Sequence, residues 1–308
     1  MSSNQMSRRR AGAQIQHRAL AAVAAVAALV GMAWAIAQDQ PLPPAAQPAV
    51  VVSSPPPPVP SPPPPPVPEP ERTDEVQKAA ILCYHRIADS PSAETVVRPA
   101  SFERQLKYLA EHDYTVLHLS EVQNAFKEGI KLPARTVVLT FDDGFRTDYE
   151  IVWPLLQKYD VPATLFIYPN WTGQSSGALT WDQLREMVES GLVEVGSHSL
   201  NHADLVKAAN SGKLGRELSG SIERIEAELG VSVTALAYPY GRQNSTVRAA
   251  TAKAGYTCGL LVNGALARSD GDPLRMGRLT MSRSDSLEVF ARERLAGLPV
   301  AEEGGEDG

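Results

Sequence analysis

The chain has 308 residues, 43% hydrophobic and 21% charged, the values of an ordinary globular protein, with a formal net charge of −6. The first 38 residues hold four arginines (Arg8, Arg9, Arg10 and Arg18) and no acid, so the rest carries 25 basic against 35 acidic residues, or −10. An acidic body argues against a nucleic-acid partner, which calls for a basic face. Two cysteines, Cys83 and Cys258, are too few for a disulfide framework and lack the close pairs of a cysteine zinc site. Both sit in apolar, strand-like runs and read as two buried thiols rather than a bridge.

Arg8, Arg9 and Arg10 precede an uncharged run over 19–37, long enough to span a bilayer as a helix. The basic flank keeps the N-terminal end in the cytoplasm and sends the rest across the membrane. Two readings stay open. One is a cleaved signal peptide, with Ala35-Ile36-Ala37 before Gln38 as the small-x-small site. The other is an uncleaved anchor that tethers the chain to the inner membrane through 19–37. Either way the body is expected in the periplasm or outside the cell. Residues 41–70 hold 16 of the 25 prolines, the composition of a polyproline II linker or stalk. The expected division is an export or anchor segment over 1–38, a proline-rich linker over 39–75, one folded domain over 76–298 and an acidic tail over 299–308.

Within the domain, short apolar or β-branched runs alternate with longer amphipathic ones. Strand 79–84 precedes helix 101–113, with Ser101 as N-cap and Phe102, Leu106 and Leu109 on one face. Strand 115–119 leads to helix 120–128, closed by Gly129. Strand 136–141 (TVVLTF) is apolar throughout, as at the centre of a parallel sheet. Helix 148–159, strand 163–168, helix 180–190, strand 192–197 and helix 213–229 follow. Strand 234–238, helix 245–254, strand 257–262 and helix 286–295 complete the series. Such alternation indicates an α/β protein with a parallel sheet, either a closed barrel or an open doubly wound sheet, with functional residues at the strand ends.

Three clusters occupy such ends. The first is Thr140-Phe141-Asp142-Asp143-Gly144. Adjacent carboxylates are costly if buried unpaired, and a metal resolves that cost, one binding the ion while its neighbour faces a water. A solvated Asp-Asp-Gly turn is the plain alternative. The second cluster runs from Gly196 to His202 and places His198 and His202 four apart, on one face of a helical turn. With Asp143 they make a two-histidine, one-carboxylate set with room for water, an open catalytic site suited to zinc and other first-row divalents. The third, Ala237-Tyr238-Pro239-Tyr240-Gly241, is a loop whose backbone N–H groups and tyrosines could wall a site. Alone it could be any strand-to-helix turn.

In this order the three motifs resemble the polysaccharide deacetylase family (NodB homology, carbohydrate esterase 4), over about 79–279. The resemblance implies a distorted (β/α) barrel of about seven parallel strands. It implies a divalent metal on Asp143, His198 and His202, zinc foremost, with cobalt, nickel or iron as alternatives. Asp142 would be the general base. Tyr238 and Tyr240 would line the substrate groove, with the Tyr240 N–H on the oxyanion. The implied activity is removal of N-acetyl groups from an amino-sugar polysaccharide such as poly-N-acetylglucosamine, peptidoglycan or an exopolysaccharide. A polysaccharide O-acetyl esterase and a non-catalytic glycan-binding domain are the alternatives.

The chain departs from the family pattern in three places. Ala237 stands where the third motif often has an arginine that braces the base. The aspartate that partners this arginine lacks a clear counterpart, though Asp270 and Asp272 lie in a suitable region. No histidine follows His202, so the usual C-terminal general acid is missing. Ile81-Leu82-Cys83-Tyr84-His85-Arg86 resembles the opening of the biofilm poly-β-1,6-N-acetylglucosamine deacetylases, in which the motif order is permuted and the histidine enters from the first strand. His85 is therefore the candidate acid. Trp171, in the loop 169–179, is a candidate for stacking on a sugar. His17, His112 and His118 read as non-functional.

Overall fold

The computed structural model describes residues 69–90 and 93–298. The export or anchor segment, the linker up to residue 68 and the acidic tail lie outside the described residues. Among the described residues no helix is long and apolar enough to cross a membrane.

The elements in chain order are β1 (Lys78–Tyr84), α1 (Pro99–Glu111), β2 (Thr115–Val116), α2 (Leu119–Glu128) and β3 (Thr136–Asp143). Then come α3 (Trp153–Tyr159), β4 (Ala163–Ile167), α4 (Trp181–Glu189), β5 (Val193–Ser197), α5 (Leu205–Asn210), α6 (Leu214–Leu229) and β6 (Ala235–Ala237). The last are α7 (Ser245–Ala254), β7 (Cys258–Leu260), β8 (Ala267–Arg268), β9 (Leu279–Thr280) and α8 (Leu287–Val289). Residues ahead of β1 are tied to the segment after α2. Lys131 N–H donates to Glu71 O at 2.7 Å and Thr73 N–H to Gly129 O at 2.9 Å, so the chain is already held there.

The sheet runs β7-β6-β5-β4-β3-β1-β8, parallel except for the β1–β8 pair. β3 is long enough to serve two neighbours on one side: its start pairs with β2 and its end, from Thr140, with β4. The sheet curls until its edges approach, and residues 276–281 stitch them together. Leu261 N–H donates to Met276 O on the β7 side, β9 pairs with β1, and Met281 N–H donates to Cys83 O. The result is the distorted (β/α) barrel.

Alternation along each strand sorts the core into two layers. Ala80, Leu82 and Tyr84 of β1 face the helices, where Tyr84, Phe102 and Phe141 pack with ring centres 5.1–5.6 Å apart. Aromatic pairs of this kind add about 0.5–1.5 kcal/mol each beyond the area they bury. Ala79 and Ile81 face inward with Val138, Phe166, Ala235 and Ala237, and α2 supplies Leu119 and Val122 to the same layer.

Several expected elements take a different form. The helix expected over 148–159 divides into a π-helical turn, Asp148–Val152, and α3. Pro154 is the cause: it has no N–H to donate and its ring crowds the carbonyl four residues back, so the preceding turn widens. The helix expected over 286–295 likewise becomes α8 and a π-helical turn. α5, β8 and β9 are too short to show any periodicity in the sequence. Thr180 and Gln183 form a capping box at the start of α4, and Gly129 ends α2 at φ 65°.

Candidate active site and metal centre

The carboxyl ends of β1, β3, β5 and β6 bring His85, Asp142, Asp143, His198, His202 and the Tyr238–Gly241 loop to one end of the barrel. Asp142 shares the inward face of β3 with Val138 and Thr140, which turns its carboxylate into the barrel rather than toward solvent. The chain then turns sharply. Asp143 has φ 81° and Gly144 φ 76°, and a Cβ at Gly144 would lie 2.8 Å from Ile167 Cγ2. Ser199, His202 and Tyr240 also have positive φ, between 55° and 61°. Each such non-glycine residue costs on the order of 1 kcal/mol or more, and strain of this kind collects where side chains must be aimed.

Asp142 is 1% exposed and Arg278 fully buried, and they face each other as a fork on a fork. Arg278 Nη1 donates to Oδ1 and Nη2 to Oδ2, both at 2.7 Å. Arg278 also donates from Nη1 to Thr140 Oγ1 at 3.2 Å and from Nε to Leu261 O at 3.1 Å, and its guanidinium carbon lies 5.6 Å from the Phe166 ring centre. Burial would push the Asp142 carboxyl up, but Arg278, with His198 and His85, holds it well below the usual carboxylate range. Cys83 Sγ–H donates to Asp142 Oδ2 at 3.6 Å, and burial keeps that thiol protonated.

Arg278 is the residue that sequence reasoning missed. It stands in no motif and comes from the closing segment, not from the position of Ala237. Its one signal was a lone charge in the apolar run Arg278-Leu279-Thr280-Met281. Asp270 and Asp272 do not brace this pair. Asp270 pairs with Arg268 on the surface at 2.8 Å, and Asp272 caps the turn at Leu274.

Asp143, His198 and His202 each offer a ligand atom within 4.8 Å of the others. His202 Nε2 lies 3.4 Å and His198 Nε2 3.8 Å from Asp143 Oδ1. His198 Nδ1 donates to Ala237 O at 2.7 Å, a carbonyl that can only accept, so Nε2 keeps its lone pair toward Asp143. Burial lowers His198 to about 4 and also lowers His202, so both imidazoles are neutral near pH 7. Burial and the Asp142 charge push Asp143 up to about 6. Two neutral imidazoles and one carboxylate with a destabilised charge make a donor set that a divalent ion satisfies. Cys83, His85 and Asp142 also converge within 4.8 Å, but Arg278 occupies both Asp142 oxygens and its charge repels a cation. Asp148, fully buried nearby, is pushed well up by burial and by the charges of Asp143 and Asp142.

The predicted substrate contacts divide. Tyr240 is 61% exposed, with its ring centre 4.8 Å from that of His202. Trp171 is half-buried and stacks on Tyr168 with centres 5.2 Å apart, and Tyr168 in turn faces His202 at 5.4 Å. An aromatic wall therefore runs from Tyr240 past the histidines to Trp171. Tyr238 is not part of it. That side chain is 1% exposed and its hydroxyl donates to Leu274 O at 3.1 Å, so it is a core residue. Its place one residue from the strand end turns it under the loop. Both cysteines are free and buried, as expected. His112 and His118 lie away from this cluster, the first stacked on Tyr108 and the second paired with Glu194.

An α/β barrel with acids and histidines gathered at its strand ends belongs to a class of enzymes, and comparison with known proteins narrows the class. Residues 129–259 match the family described as Polysaccharide deacetylase. The poly-beta-1,6-N-acetyl-D-glucosamine N-deacetylase of Staphylococcus epidermidis is 31% identical over 210 residues, 64% of this chain and 71% of that one. A Bacillus subtilis protein named putative polysaccharide deacetylase YxkH is 29% identical over 219 residues, 71% of this chain and 77% of that one. The solved structure of the Streptococcus pyogenes deacetylase PplD in complex with acetate has a TM-score of 0.66 at 30% identity, covering 70% of this chain and 98% of that one. The chain belongs to the polysaccharide deacetylase family.

Proposed function

We propose that this polysaccharide N-deacetylase is a divalent-metal hydrolase that removes acetyl groups from an exported amino-sugar polymer, with poly-β-1,6-N-acetylglucosamine the first polymer to test. The observation that carries the reading is the Asp142–Arg278 pair beside the Asp143, His198 and His202 donor set. The name of the Staphylococcus epidermidis relative supports the choice of polymer.

Asp143, His198 and His202 would hold the ion, zinc by the chemistry of the set, with cobalt, nickel and iron as alternatives. Such an ion, when bound, polarises the acetamide carbonyl and lowers the pKa of water. Asp142 accepts the proton of the attacking water. Arg278 keeps that carboxylate ionised and aimed, so no reorientation is needed during the reaction. His85, with its ring nitrogen within 4.8 Å of the Asp142 carboxylate, gives a proton to the departing amine. Tyr240 would offer its backbone N–H to the developing oxyanion, and Trp171 a face for a sugar ring. The products are acetate and a free amino sugar. The arginines and the apolar run over 19–37 support export, and a tether to the inner membrane if the run is not removed.

The experiment is acetate release from β-1,6-linked N-acetylglucosamine oligomers, before and after chelation and metal refilling. Release that disappears with chelator, returns with zinc and is lost in Asp142→Asn supports the reading. Release that chelation leaves untouched ends the metal-dependent version. A metal-loaded protein that splits acetate esters but not acetamides makes it an esterase.

A further inference from the structure

A groove of about 670 Å³ opens beside the histidine motif, between the loop after β4 and the first turns of α5 and α6. Asn170 and Asn201 form its inner end, and Asn170 Nδ2 donates to Asn201 Oδ1 at 2.7 Å. Asn201 directly precedes His202, and Tyr168, which faces the His202 ring, leads into Asn170. The groove therefore starts one residue from the donor set and continues outward past Lys207, Lys213 and Arg216.

Its lining carries more positive than negative charge. Lys207, Lys213 and Arg216 are exposed, and none forms an ion pair among the described residues. The acids on the same walls are engaged elsewhere. Asp204 accepts from the N–H groups of Val206 and Lys207 at the start of α5 and from Arg242 at 2.8 Å. Glu217 is buried and accepts from Asn201 N at 3.0 Å and Nδ2 at 2.8 Å. On a chain of net charge −6, three exposed cations against two acids that are already hydrogen-bonded leave this polar groove with a local excess of positive charge, a field that attracts anions.

We propose that this groove is a subsite for an acidic unit of the polymer, a sugar bearing a carboxylate or phosphate near the unit that loses its acetyl group. The proposal rests on the deacetylase reading and deepens it: an acidic unit beside the target raises the rate above that on a neutral N-acetylglucosamine polymer. Asn201 is held by Asn170 and Glu217, which leaves the Asn170 amide to meet sugar hydroxyls, which both donate and accept. The long, mobile lysine heads sense charge more than shape. Because the cations are exposed, the preference weakens as salt screens them.

The test uses the full chain, metal-loaded, on matched oligomers: an oligomer containing N-acetylmuramic acid with its free carboxylate, the methyl ester of the same oligomer, and a phosphorylated N-acetylglucosamine oligomer. At low ionic strength the kcat/KM for the free acid is expected to exceed that for the ester about tenfold, with the ratio falling toward one in high salt. The triple variant Lys207→Gln, Lys213→Gln, Arg216→Gln is expected to bring the ratio to about one at low salt. A larger ratio for the phosphorylated oligomer assigns the anion as phosphate. Equal rates on acid and ester, or a ratio that survives the triple substitution, overturn the subsite. If no oligomer releases acetate, the deacetylase reading itself fails, and calorimetric titration of acid against ester decides the groove alone. A preference for the acid that the triple variant loses keeps the subsite, and equal or absent binding removes it.

Discussion

Arg278 and Asp142, 136 residues apart in the chain, meet inside the barrel through two hydrogen bonds of 2.7 Å. The pair is fully desolvated, so its geometry must be good for it to hold, and removing one partner leaves a buried charge alone. Arg278→Gln is expected to lower stability by about 3–5 kcal/mol, read as a shifted urea midpoint. The double variant Arg278→Met, Asp142→Asn should recover much of that loss. A single variant as stable as the parent would mean that the pair contributes little.

The same pair sets an acid limit. The Asp142 carboxyl lies below its ordinary 3.8 in the folded chain, so the folded state holds that proton less tightly than the unfolded one. The stability from the pair is present above about pH 3.8 and is lost as pH falls toward the depressed folded value. Denaturation curves between pH 5 and pH 2 should steepen in their loss of stability below pH 4, and Arg278→Gln should flatten that part of the curve.

Asp143 works in the opposite sense. Its carboxyl is pushed from 3.8 up to about 6, so the metal-free fold prefers it protonated. That contribution is present below pH 3.8 and is lost as pH rises through about 6. In chelator, Asp143→Asn should therefore match the parent near pH 4 and exceed it above pH 6. Zinc should raise the parent's melting temperature more at pH 8 than at pH 5 and leave Asp143→Asn nearly unmoved. A variant no more stable than the parent at pH 8 would show that the ionised Asp143 carries no such cost.

His85→Gln separates an acid from a structural histidine. Loss of general acid catalysis typically costs about 10²–10⁴ in kcat. The loss should be large on an acetamide, whose amine must leave protonated, and small on an aryl acetate, whose phenolate leaves without help. KM should change little. Equal losses on both substrates would make His85 a structural group.

Tyr238 and Tyr240 should respond differently despite being two residues apart. Tyr238→Phe removes the buried bond to Leu274 O and should cost about 1 kcal/mol of stability with KM unchanged. Trp171→Ala and Tyr240→Ala remove the aromatic wall and should raise KM with little effect on melting. A rise in KM for Tyr238→Phe would place that side chain at the substrate after all.

Much of the fold was legible because its strands are uniform. β3 opens with Thr136-Val137-Val138-Leu139, and Gly129 closes α2 as expected, whereas the N-cap expected at Ser101 fails: Pro99 starts α1 two residues earlier, Arg98 is its N-cap, and no side chain caps it. That Asp142, Asp143, His198 and His202 come together at one end of the barrel was legible because the strand ends that carry them are short, contiguous motifs. The single helix expected over 148–159 failed at Pro154, where local backbone chemistry overrode an amphipathic pattern.

From its own residues, then, the chain determined a parallel α/β architecture and which acids and histidines stand at the strand ends, because periodicity and motif spacing are local properties. Only the tertiary structure decided what braces Asp142 and which tyrosine is exposed beside His202. Arg278 reaches Asp142 because residues 276–281 stitch β7 to β1, a closure between segments distant in sequence. Tyr238 turns away from the groove because it continues the helix-facing side of β6 after Leu236 and is covered there, and no local pattern records which side will be covered.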